Sequence, residues 1–233
     1  MSPFDIHDRR GDYSCHCKAL QTKHTKMADC LRPLRQPIAI YPQYIASTHA
    51  TTLLMKSSSH WKNSYAISLI GAPIPTVSSH EPRETIKPPS LLSIDAQSWS
   101  LSHRMHVYDD RTYTKLCTIR RENWSFRSRY YAETSEGSAR LFESESRNSW
   151  GRKNVFTFQN QAGKGEIVEL KVKSPAFSQR QEVYLEHRMV GLIETDRWHV
   201  KTHYNLTAAQ GLDIFVLVCI AALVDDQRRS END

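Results

Sequence analysis

Leu212-Asp213-Ile214-Phe215-Val216-Leu217-Val218-Cys219-Ile220-Ala221-Ala222-Leu223-Val224-Asp225-Asp226 contains the longest uninterrupted apolar run of the chain. Every residue from Ile214 to Val224 is apolar, with Asp213 before the run and Asp225-Asp226 after it. A helix that crosses a bilayer needs roughly twenty such residues, so a run this short is expected in a protein core and is not a transmembrane span. Its Val and Ile content leaves a buried strand as the competing reading, because periodicity does not separate the two in a fully apolar segment. Length, Ala221-Ala222 and Asp213 as an N-cap favour a helix. Asp225 and Asp226 count against it at a helix C-terminus, and Arg228 and Arg229 partly offset them. A helix that is apolar on every face must be surrounded by protein.

The surround is legible upstream. Leu53 and Met55 alternate with polar or small neighbours, as do Tyr65, Ile67 and Leu69, then Leu92, Ile94 and Ala96. Met105 and Val107 lead through Asp109-Asp110-Arg111 into Lys115-Leu116-Cys117-Thr118-Ile119, the pattern of a hairpin. Phe126 to Ala132 and Ala139 to Phe142 flank Ser135-Glu136-Gly137-Ser138, whose glycine can take positive φ without a steric penalty. Val155 to Phe158 and Ile167 to Lys173 flank a second turn, Asn160 to Gly165. There Val168, Leu170 and Val172 share one phase and Glu169, Lys171 and Lys173 the other, the signature of a half-buried antiparallel strand. Val183 and Leu185, then Val190 to Ile193, then Tyr204, Leu206 and Ala208 continue the series. Short strands at regular spacing predict a mainly β, closed antiparallel barrel or sandwich, and the apolar helix predicts a barrel wrapped about it.

Residues 1–32 mix His, Cys, Lys, Arg and Asp with little apolar periodicity and are expected to form a disordered extension. His7, Cys15, His16, Cys17, His24 and Cys30 are zinc-type ligands, but their spacing fits no standard finger. The domain is expected over 33–228, opened by Ile38 to Ala46 as an edge strand or extended lead-in around Pro42. Residues 75–90, rich in Pro and Ser, read as an insertion loop, and 229–233 as a polar tail.

With 31 Lys and Arg against 25 Asp and Glu, the net charge is +6, which suits an anionic partner without specifying one. The five cysteines are odd in number and scattered, and no charged and apolar leader opens the chain, so a cytoplasmic setting with reduced thiols is expected. Ala162-Gly163-Lys164-Gly165 lacks the earlier glycine and the Ser or Thr of a phosphate loop. No GxSxG, HExxH or GxGxxG occurs. His103 with His106, and His199 with His203, have helical spacing but fall on strand patterns, where they do not converge. No catalytic residue, metal or cofactor is therefore expected.

What remains is a basic set, Arg120, Arg121, Arg127, Arg129, Arg152 and Lys153, interleaved with Trp124, Phe126, Tyr130, Tyr131 and Trp150. Guanidinium forks suit phosphate and aromatic rings suit a headgroup boundary, so these residues are the candidates for contact with an anionic phospholipid surface; no nucleic acid is expected. The plain alternative is a solvated outer face that guards the sheet.

The sequence resembles the LURP-one-related family of the tubby C-terminal-like superfamily, which also holds the phospholipid scramblases. The resemblance is carried by Gln36 to Ile45, Thr52-Leu53-Leu54-Met55-Lys56, Gly71-Ala72-Pro73-Ile74, Trp99-Ser100-Leu101-Ser102 and Tyr108-Asp109. It continues through Thr118-Ile119-Arg120-Arg121, Tyr131-Ala132-Glu133, and Gly211-Leu212-Asp213 ahead of the apolar run. It implies a barrel of about twelve antiparallel strands around a hydrophobic C-terminal helix. It also implies a non-enzymatic role, as a peripheral membrane or phosphoinositide-binding adaptor or as a soluble interaction or stress-associated scaffold. The scramblases' acidic calcium loop and acylated cysteine cluster have no counterpart here. Asp110-Arg111 stands where many relatives have a glycine-containing turn.

Overall fold

The structure, a computed structural model, describes residues 31–47, 50–57, 64–70, 89–97, 104–122, 129–147, 153–174, 179–196 and 203–230. Its strands are β1 (Thr51–Ser57), β2 (Tyr65–Leu69), β3 (Ser90–Gln97), β4 (Arg104–Asp109), β5 (Thr114–Arg121) and β6 (Arg129–Thr134). They continue as β7 (Arg140–Arg147), β8 (Lys153–Gln159), β9 (Ile167–Lys173), β10 (Arg180–Leu185), β11 (Arg188–Asp196) and β12 (His203–Ala208). Each strand pairs antiparallel with the next, and β12 pairs back onto β1, so the sheet closes and no edge is left exposed.

Alternation decides which side chains enter the lumen. In β9, Val168, Leu170 and Val172 are buried while Glu169, Lys171 and Lys173 face out. The same alternation puts Leu53, Met55, Tyr65, Ile67, Leu92, Ile94, Val107, Cys117 and Ile119 inside. Along the lumen runs α1 (Ile214–Ser230), whose first thirteen residues, Ile214 to Asp226, are all buried. Gly191 lets α1 approach β11 closely, since a Cβ there would come within 2.9 Å of Leu217 Cδ1.

Helix α1 extends past the expected end of the apolar run at Val224 and past the expected boundary at residue 228, so Arg229 and Ser230 belong to it and not to a tail. The reason is chemical. Asp225 and Asp226 are not terminal anions facing the helix dipole; both carboxylates are buried and hydrogen-bonded by tyrosines from the wall. With 17 residues, α1 spans the barrel from end to end.

The lead-in takes its extended form and makes single bridges, not a ladder. Ile38 pairs with Leu212 and Ile45 with Asp213, separated by a 3-10 turn at Pro42–Tyr44. It clamps the start of α1. Leu31, expected in the extension, is buried in the core. Most of residues 1–32, most of the expected insertion at 75–90, and Arg127, Arg152, Trp124, Phe126 and Trp150 lie outside the described residues.

Candidate functional site

The two ends of the barrel differ in chemistry. At the end where α1 begins, Asp213 joins the lead-in to the helix. Its Oδ1 accepts the Phe215 N–H at 2.8 Å, the N-cap bond expected from the sequence. Its Oδ2 accepts the Ile40 and Tyr41 N–H groups at 3.0 and 2.9 Å. Burial pushes the Asp213 carboxyl up to about 7 against the pull of these backbone donors. Asn160 works in parallel from the β8–β9 turn: Oδ1 accepts the Ala39 N–H at 2.9 Å and Nδ2 donates to Pro37 O at 3.2 Å. Tyr44 donates to Asp109 Oδ2, and Arg111 pairs with the same oxygen at 3.2 Å. Burial raises the Asp109 carboxyl, but the bonds from Tyr44 and Arg111 outweigh it and hold the group at about 2. Tyr41 packs edge-on against Phe215 at 4.8 Å and seals this end with aromatic surface.

At the other end, Tyr65 and Tyr204 donate to Asp225, whose Oδ2 also accepts Arg229 Nε at 2.9 Å. Tyr130 donates to Asp226 at 2.8 Å. Burial and the neighbouring Asp225 charge push the Tyr65 and Tyr204 phenols well up, so they remain protonated donors. Asn154 Nδ2 donates to Gln227 Oε1 at 2.7 Å, and Arg228 Nη1 to Thr195 Oγ1 at 3.1 Å. These contacts anchor the last turns of α1 to β2, β6, β8, β11 and β12.

Of the expected basic residues, the described Arg120, Arg121, Arg129 and Lys153 stand on strands at this second end, next to the Tyr130 and Asn154 that reach Asp226 and Gln227. Arg120 and Arg121 do not act as a pair. Arg120 faces outward with its Nε 3.0 Å from Glu133 Oε2. Arg121 shares the lumen phase of Cys117 and Ile119 and stands opposite Tyr130 in register. Arg129 Nη2 lies 3.2 Å from Glu145 Oε1, so its charge is also met by a neighbouring strand. Lys153 stands in register with Arg147 on one side and Lys173 on the other. That alignment forms a row of cations across β7, β8 and β9, and Arg104 likewise stands opposite Arg120 on β4 and β5.

Sequence reasoning missed Arg104, Arg147 and Lys173 as members of this end. The outward phase of Lys173 was visible, but its neighbour depends on strand register, which the local pattern does not contain. On its other side Lys173 stands in register with Glu182, and its Nζ lies 4.2 Å from the centre of the Tyr184 ring. Among the described residues, no group of three or more His, Cys, Asp or Glu stands together as metal ligands. Among the same residues, no helix is long and apolar enough to cross a membrane.

The sequence profile of the LURP-one-related family matches residues 89–225, which takes in β3 to β12 and the apolar part of α1. The fold is similar to an X-ray structure of a protein from Arabidopsis thaliana, with a TM-score of 0.55 at 13% identity, covering 82% of this chain and 99% of that one. No curated protein sequence matches the chain. Closed antiparallel topology, an enclosed C-terminal helix and a profile match over more than half of the sequence agree, and the chain belongs to the LURP-one-related family.

Proposed function

We propose that this protein is a non-enzymatic adaptor that docks peripherally on the cytoplasmic face of a membrane, with anionic phospholipid as its partner. The observation that carries the reading is the cation row Arg147, Lys153 and Lys173, at the barrel end where Arg228 and Arg229 close α1. That register brings three cationic residue types to neighbouring positions on one barrel end, and phosphate oxygens accept charge-assisted bonds from such cations. Arg120, Arg121, Arg127, Arg129, Arg152 and Lys153 supply the contact in this reading. Phosphoinositide, with several phosphates on one headgroup, is the strongest candidate lipid. Neither nucleic acid nor a cofactor enters the reading.

Flotation tests it. The full chain is mixed with phosphatidylcholine vesicles, alone or with phosphatidylserine and phosphoinositide, at low and high salt. Binding to the anionic vesicles alone is expected, with loss in high salt and in the Lys153→Glu/Lys173→Glu variant. Equal failure to float with every composition overturns it. The ion pairs Arg120 with Glu133 and Arg129 with Glu145 favour the second reading, a soluble interaction or stress-associated scaffold, because they neutralise part of the basic set. In that case a pull-down recovers a stable protein partner and flotation stays negative.

A further inference from the structure

The β10–β11 hairpin turns through Glu186 and His187, between the paired Leu185 and Arg188. Of the two turn residues only Glu186 has positive φ, at 55°. A positive φ is one that glycine adopts freely and that a residue with a Cβ adopts against steric resistance. Glutamate therefore occupies a position where glycine would relax the backbone, and backbone strain of this kind concentrates where a side chain is needed.

The surroundings supply a use for it. Arg32, Glu186, His187, Arg188 and Met189 line an open cleft of about 400 Å3, where the lead-in crosses the hairpin. Its walls are fixed: Arg188 Nη1 donates to Pro33 O at 3.0 Å, and Leu34 N to Gln210 O at 2.9 Å. Arg32 and Glu186 are both exposed. No ion pair joins Glu186 to Arg32 or Arg188 among the described residues. The cleft thus holds two guanidinium groups and one carboxylate that do not neutralise each other. A simple anion entering it meets Glu186, and a simple cation meets two arginines. A ligand that carries both charges satisfies every ionic group.

We propose that this cleft binds a small zwitterion, its carboxylate or phosphate held by Arg32 and Arg188 and its ammonium held by Glu186. The volume suits a small molecule. The cleft lies at the end where α1 begins, away from the cation row, so this site stands or falls independently of membrane docking.

The test is a calorimetric titration of the full chain with phosphorylethanolamine, inorganic phosphate and ethanolamine as separate probes. Phosphorylethanolamine is expected to saturate and to bind more tightly than either single-charge probe. Arg32→Ala and Arg188→Ala should each weaken it by roughly tenfold or more, the loss of a charge-assisted contact. Glu186→Gly should leave the urea midpoint unchanged or higher, because it relaxes the turn, and should abolish the preference for phosphorylethanolamine over phosphate. Flotation with phosphatidylethanolamine vesicles separates the sources: binding to vesicles as well as the soluble probe assigns a lipid headgroup, and binding to the soluble probe alone assigns a free small molecule. Absence of saturable binding overturns the proposal. So does equal affinity for phosphorylethanolamine and phosphate in the unmodified chain, or an unchanged affinity in Arg32→Ala.

Discussion

Replacing Val218 with Asp tests whether α1 is the filling of the barrel. Val218 is 0% exposed and lies midway along the apolar run, where sheet surrounds the helix on every side. The substitution loses the burial of the valine side chain, about 2 kcal/mol, and adds an unpaired buried charge that costs about 3–5 kcal/mol. The sum, roughly 5–7 kcal/mol, is comparable with the whole stability of a typical domain, about 5–15 kcal/mol. Val218→Asp should therefore be insoluble, or lack a cooperative transition when urea unfolding is followed by far-UV circular dichroism. Two companions separate burial from any general effect of the change. Val218→Ala removes apolar contacts without adding charge; it should remain folded and lose about 2–3 kcal/mol. Ile167→Asp makes the same kind of polar change at a side chain that is 70% exposed, and should shift stability by less than about 0.5 kcal/mol. A soluble Val218→Asp protein with a urea midpoint close to the parent's would refute the central helix.

The two carboxylates at the lead-in end should give pH dependences of opposite sign, readable from urea midpoints across pH. Asp109 is held at about 2 against an ordinary value of 3.8, so the stability it contributes is present above pH 3.8 and is lost as pH falls toward 2; Asp109→Asn should remove that loss. Asp213 is raised to about 7 from 3.8, so its contribution is complete below pH 3.8 and is lost as pH rises through 7; Asp213→Asn should flatten that fall. Tyr204→Phe removes one donor from the buried Asp225 and should cost about 1–3 kcal/mol, whereas unchanged stability would show that Tyr65 and Arg229 suffice. Gly191→Val would push a side chain into Leu217 and should cost about 1–3 kcal/mol by overpacking, measured by the same unfolding curves.

Local pattern carried a large share of the architecture. The alternation of Val168, Leu170 and Val172 with Glu169, Lys171 and Lys173 specifies a strand and its buried face, because side chains on a strand point to alternate sides. The hairpin turns at Asp109 to Arg111 and at Gly137 were legible for the same local reason, the latter with its glycine at φ 71°. The helix was legible from the run Ile214 to Val224, but its end was not. From sequence alone Asp225 and Asp226 are anions at the unfavourable end of the helix dipole, because their tyrosine partners are 160, 96 and 21 positions away along the chain.

The candidate surface was less legible than the fold. Composition identifies Arg120, Arg121, Arg129 and Lys153 as cations, but not which of them meet a carboxylate. Arg120 and Arg121 are neighbours in sequence and fall on opposite phases of β5, while Lys153 and Lys173 are distant in sequence and stand in register. By itself the sequence determined the apolar periodicities, and with them a β wall about one buried helix, since each apolar face must leave water. Only the tertiary structure decided register and closure, and through them which charges pair, which repel, and which buried carboxylates find their donors. Those contacts join residues whose separation along the chain leaves no trace in any local pattern.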